Sequence, residues 1–120
     1  MRSFTDLEAW KKGMDLVEEI YILSQRFPKD ERFGLTSQIR DAVVSIVANT
    51  AEGFSRYTFA DKANRYVIAR GECGEVQAFL YVAERLLYID KETAARARHH
   101  AEEVGRILSG LIASCRRHQS

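Results

Sequence analysis

Residues 32–53, RFGLTSQIRDAVVSIVANTAEG, carry the pattern on which the fold turns. At 100° per residue, Asp41, Glu52, Ser45, Gln38 and Asn49 fall inside one arc of roughly 80°. Beside this polar stripe, Ala42, Ile46, Ile39, Thr50, Val43 and Val47 form a wide aliphatic face. Past Arg40 come Ala51, Val44 and Ala48, a second arc of small apolar residues. A helix apolar around so much of its circumference must be covered on two sides, so a subunit contact is expected on the small-residue arc. Gly53 is expected to end this helix as a left-handed cap, giving a span of 35–53.

Working outward, Thr5 and Glu8 fit a capping box with Phe4 as its staple. Leu7, Trp10, Met14, Val17 and Tyr21 then recur at alternating spacings of three and four, the mark of a seam facing other helices. Trp10 on such a seam reads as core rather than as a binding anchor. Pro28 stops this first helix, expected over 6–26, and leaves PKDERFG as a short connector.

On the other side, Thr58 with Asp61 can start a third helix over 58–89, with Tyr66, Ala69, Cys73, Val76, Leu80, Ala83 and Leu87 as its seam. Gly71 and Gly74 each cost roughly 1 kcal/mol relative to alanine there, which predicts close approach of another backbone. Gly-x-x-Gly also occurs in an RNA-clamping loop, but that loop belongs to a mixed sheet fold and the flanking pattern here is helical. Asp90 caps a fourth helix over 91–116, whose seam is Ala94, Ala97, Ala101, Val104, Leu108, Leu111 and Cys115. The expectation is an all-α domain over 1–120, an antiparallel up-down-up-down four-helix bundle.

Composition agrees with this. The 120 residues are 46% hydrophobic and 29% charged, with one proline, enough for a single core. With no apolar run near the roughly 18 residues of a membrane span and no signal pattern, a soluble cytoplasmic protein without membrane contact is expected. Cys73 and Cys115 lie on apolar stripes and read as free thiols. The net charge is +1, yet residues 91–120 hold 6 basic and 3 acidic groups while residues 1–31 hold 5 basic and 7 acidic.

The central stretch resembles the signature of the four-helix proteins encoded in the intervening sequences of bacterial 23S rRNA genes, whose relatives include the accessory variability proteins of diversity-generating retroelements. The specific matches are Gln38-Ile39-Arg40, Ser45-Ile46, Asn49 and Glu52-Gly53. Phe4, Leu7, Trp10, Tyr21, Phe27-Pro28, Glu31, Ala69, Gly71 and Glu75 extend them over nearly the whole chain. After Gly71 the family pattern has Ser-Leu where this chain has Glu72-Cys73, and a larger residue at Gly74. The resemblance implies a homopentameric ring around a central channel and, through the retroelement relatives, a reverse transcriptase as a further partner.

For chemistry, the residues point away from catalysis. A di-iron bundle needs paired Glu-x-x-His motifs, and His99 or His100 with Glu102 or Glu103 supply only isolated fragments, so neither metal nor cofactor is expected. Ser45, Cys73 and Cys115 lack an activating neighbour, and no enzyme is expected. The stripe of Gln38, Ser45, Asn49 and Glu52 reads either as buried hydrogen bonds that fix helix register or as a ligand or nucleic-acid groove. Arg56, Tyr57, Phe59, Lys62, Arg65 and Tyr66, with Arg70 beyond, combine phosphate-seeking charge and stacking rings, the elements of an RNA- or DNA-binding surface. The competing reading is a protein-interaction scaffold in which the rings are core and the charges solvated.

Overall fold

The computed structural model describes residues 1–119. Four helices, α1 (Glu8–Ser24), α2 (Leu35–Ser55), α3 (Phe59–Arg85) and α4 (Lys91–Gln119), make up the chain. Short 3-10 turns at Phe4–Asp6 and Lys29–Glu31 supplement them, with no strand among the described residues. Together they form a four-helix body of 48 × 22 × 20 Å.

The helices touch in a closed cycle, α1 to α2, α2 to α3, α3 to α4 and α4 to α1. Between α1 and α2, Arg40 reaches Ser24 while a β-carbon on Gly13 would meet Val47 at 2.8 Å. On the α3–α4 side, Arg98 pairs with Glu84 at 2.7 Å and Arg70 with Ser109 at 3.3 Å. His100 lies 2.7 Å from Glu19 and Lys12 3.4 Å from Glu103, joining α4 to α1. The core between them holds Leu16, Ile20, Ile39, Val43, Ile46, Val76, Leu80, Leu108 and Ile112, all nearly or fully buried. Each such side chain contributes about 1.5–3 kcal/mol by leaving water. Thr50 and Ser24 are the buried polar residues, and their hydroxyls donate to the Ile46 carbonyl at 2.7 Å and the Tyr21 carbonyl at 3.2 Å.

Several local expectations change. The N-terminal capping box uses Ser3 and Asp6 rather than Thr5 and Glu8: Ser3 Oγ accepts from the Thr5 amide, and the Asp6 carboxylate accepts from the Ser3 amide. On α1 the buried seam is Ala9, Gly13, Leu16, Ile20 and Leu23, whereas Met14 and Tyr21 are exposed and Trp10 is half-buried, its ring edge-on to Phe4 at 4.7 Å. The helix is rotated from the predicted seam because Leu16 and Ile20 give it a second apolar stripe, and that one faces α2 and α4.

Gly53 does not end α2 in a left-handed turn. No glycine has positive φ, and the helix continues to Ser55. Gly53 is instead buried under a ring: a β-carbon there would lie 2.6 Å from Tyr66 Cε1. Conversely, Gly71 and Gly74 meet nothing within 4 Å, so no helix of the same chain approaches them. Helix α3 stops at Arg85, before the expected 89, because Leu87 turns left-handed with φ 63°. The Tyr88 amide then donates to the Ala83 carbonyl and the Leu87 amide to that of Glu84, closing a Schellman motif. Leu87, expected on the seam, is thereby left exposed. In α4, Ile112 takes the buried place predicted for Leu111, which is half-buried.

Candidate nucleic-acid interface

The polar stripe of α2 becomes a relay into α3. Asn49 donates to the Ser45 carbonyl and hydroxyl at 2.9 and 3.0 Å. Arg65 donates to Asn49 Oδ1 at 3.4 Å and lies 3.5 Å from Glu52, which also holds Arg56 at 2.6 Å. Glu52 therefore gathers two guanidinium groups, one from the α2–α3 connector and one from α3. Lower on the stripe, Gln38, Asp41 and Ser45 line a notch with Glu72 and Glu75. Burial, and then the nearby Glu75, raise the pKa of the Glu72 carboxyl.

Arg40, beside the stripe, is structural. Its Nε donates to Ser24 Oγ at 2.8 Å and its Nη2 to the Tyr21 carbonyl at 3.3 Å, with the guanidinium 4.6 Å from the Tyr21 ring centroid. It closes the C-terminal end of α1, where carbonyls otherwise lack donors.

The connector and first turns of α3 bring Arg56, Tyr57, Lys62 and Arg65 to one end of the body. Lys62 Nζ donates to the Phe54 carbonyl at 2.6 Å and sits 5.4 Å from that ring's centroid. Tyr57 is fully exposed. Tyr66 leaves the group, for it is buried in the core and burial pushes its hydroxyl pKa up to about 12. Arg70 leaves it too: it lies on the flank of α3 that faces α4, hydrogen-bonded to Ser109.

What replaces them comes from the far end of the chain. The Phe59 ring stacks on His118 with centroids 5.0 Å apart, and His118 Nδ1 lies 2.7 Å from the Ser114 carbonyl. The last turn of α4, with Arg116, Arg117 and His118, thus stands beside the first turn of α3. Segments 52–66 and 116–119 together hold five basic residues, Arg56, Lys62, Arg65, Arg116 and Arg117, and two acidic ones, Glu52 and Asp61. The C-terminal excess of basic residues was visible in the sequence, but its position beside residue 59 follows from the packing of α4 against α3.

Elsewhere the reactive side chains are quiet. Burial, and then Glu72, push the Cys73 thiol up to about 12, so it stays protonated at neutral pH. Among the described residues no group of three His, Cys, Asp or Glu side chains is disposed to hold a metal ion, and no helix is long and apolar enough to cross a membrane.

Residues 5–110 match the family model described as 23S rRNA-intervening sequence protein. Among solved structures, the fold is similar to that of a Bacteroides thetaiotaomicron protein of unknown function from the S23 ribosomal protein family. The TM-score is 0.80 and the identity 25%, covering 87% of this chain and 97% of that one. No curated protein matches.

Proposed function

The chain belongs to the 23S rRNA-intervening sequence protein family, and from that premise we propose that it is a non-catalytic, cytoplasmic protein that binds structured RNA. The observation that carries this reading is the convergence of Arg56, Lys62 and Arg65 with Arg116 and Arg117 at one end of the body, reported by the Phe59–His118 stack. Phosphate binding needs several cations in one place, and two segments some 55 residues apart in sequence supply them there. The bundle is taken as antiparallel, up-down-up-down, in keeping with the opposed contact order of every touching pair.

The chain acts as an oligomer in this reading, and a ring of five is what its family resemblance implies. Support from the fold is the uncovered small and apolar surface on α2 and α3, where Val44, Ala48, Ile68, Gly71, Gly74 and Val82 are all exposed. Repetition of a modest basic end around a symmetry axis raises overall affinity through effective concentration. The same surface favours the second reading, a protein-interaction scaffold. A retroelement accessory that serves a reverse transcriptase is a narrower version of the first, and a net charge of only +1 favours it less.

The test is binding of a structured RNA at two salt concentrations, with the particle mass measured on the same sample. Counterion release predicts an affinity that falls steeply with salt. The folded triple variant R56A/K62A/R65A should bind weakly and with a shallower slope. A well-formed oligomer that ignores RNA at low salt would leave the scaffold as the working reading.

A further inference from the structure

We infer that Tyr57 is a stacking platform for an unpaired nucleobase, so that the target within an RNA is a loop, bulge or single-stranded segment and not a duplex. The inference rests on the nucleic-acid reading above and specifies which form of nucleic acid it takes. Tyr57 is fully exposed, and its ring has no aromatic or cationic partner among the described residues. Of the exposed large apolar side chains it is the most exposed, ahead of Leu87 and Phe33, and the only one of the three that stands among the cations of the basic end.

Its mounting is short and hydrogen-bonded on both sides. Only residues 56–58 separate α2 from α3. The Arg56 amide donates to the Gly53 carbonyl at 3.3 Å, and Thr58 Oγ1 accepts from the Asp61 amide at 3.1 Å. The ring therefore projects from a connector tied on both sides, which lowers the ordering cost of binding. Around it, Arg56 precedes directly in sequence, while Lys62 and the Phe59–His118 stack occupy the next turn. A backbone held by these cations would present its bases to the ring.

A duplex has no use for this arrangement. Its base faces are already stacked on one another and its phosphates lie outside, so a protruding ring would only hold the backbone away from the cations. An unpaired base exposes a π-face that a tyrosine can cover, whatever the base.

The experiment uses the full chain with two fluorescent probes at low salt, a polyuridine RNA of roughly 20 nucleotides and a blunt RNA duplex of similar length, with Y57F and Y57A beside the wild type. Preference for polyuridine is expected, with affinity for it falling about 5- to 150-fold in Y57A and retained in Y57F. Far-UV circular dichroism should be unchanged in both variants, because the side chain packs on nothing. Equal binding of the two probes, an unaffected Y57A, or equal losses in Y57A and Y57F would each overturn the stacking role while leaving RNA binding in place. Failure of the wild type to bind polyuridine, the duplex and the structured RNA of the preceding test would overturn the nucleic-acid reading itself.

Discussion

Gly53 and Tyr66 meet with no room for a β-carbon between them: one built on Gly53 would fall 2.6 Å from Tyr66 Cε1, 2.8 Å from Cδ1 and 3.2 Å from Arg65 Cβ. Tyr66 is buried and cannot swing aside. Alanine would gain about 1 kcal/mol of helix propensity and lose about 1–3 kcal/mol to overpacking. G53A should therefore lower the midpoint of thermal unfolding, and a midpoint equal to or above that of wild type would show that α2 and α3 separate more easily than this contact implies.

Gly71 gives the opposite case, because nothing lies within 4 Å of its Cβ position. For an isolated chain G71A should stabilise by up to about 1 kcal/mol. If the outer face of α3 packs on another copy, G71A, or more severely G71L, should reduce the mass measured by light scattering. An unchanged oligomer with G71L would remove that face from the interface.

Glu31 ties both connectors at its end of the body to α2. Its Oε1 accepts from the Leu35 amide at 3.0 Å and its Oε2 from the Tyr88 hydroxyl at 2.7 Å. The backbone bond to Leu35, and then the Tyr88 bond, hold its pKa below the usual carboxylate range. A carboxyl with a folded pKa below its unfolded one stabilises the fold above the unfolded value, near 4.3 for glutamate. That stabilisation is lost as pH falls through the folded value. Urea unfolding of E31Q should accordingly differ from wild type at neutral pH and converge on it in acid; a difference that persists unchanged in acid would assign it to packing.

Glu52 neutralises part of the basic end by holding Arg56 and Arg65. E52Q releases both guanidinium groups and removes one negative charge. Its affinity for RNA at low salt should rise several-fold, with a steeper salt dependence. Unchanged or weaker binding would take these arginines out of the phosphate contacts.

R40K tests the closure of α1. Lysine keeps the charge but cannot reach Ser24 and the Tyr21 carbonyl with one planar fork, nor lie flat on the Tyr21 ring. The expected loss is about 1 kcal/mol in chemical denaturation, and a neutral effect would make the Arg40 bonds incidental.

The number of helices, the short connectors and most of the α3 and α4 seams were legible in the pattern of apolar residues, because a 3.6-residue period and turn chemistry are local properties of a chain. The same holds for the relay of α2: Ser45 and Asn49 are spaced to touch on one helix. Rotation of α1 was not legible. Both Met14 with Tyr21 and Leu16 with Ile20 form apolar stripes, and which one is buried depends on where α2 and α4 lie.

Glycine was likewise ambiguous from sequence alone. Gly53 looked like a cap and is a close approach; Gly71 and Gly74 looked like close approaches and face open space. A missing side chain has no periodicity to read, so only the neighbouring helix decides its use. At the candidate site the sequence determined Arg56, Tyr57, Lys62 and Arg65, which are neighbours along the chain. The tertiary structure alone decided that Tyr66 is core, that Arg70 turns toward Ser109, and that the last turn of α4 joins the site through His118 and Phe59. Those relations are set by the packing of one helix against another, over distances along the chain that no local pattern spans.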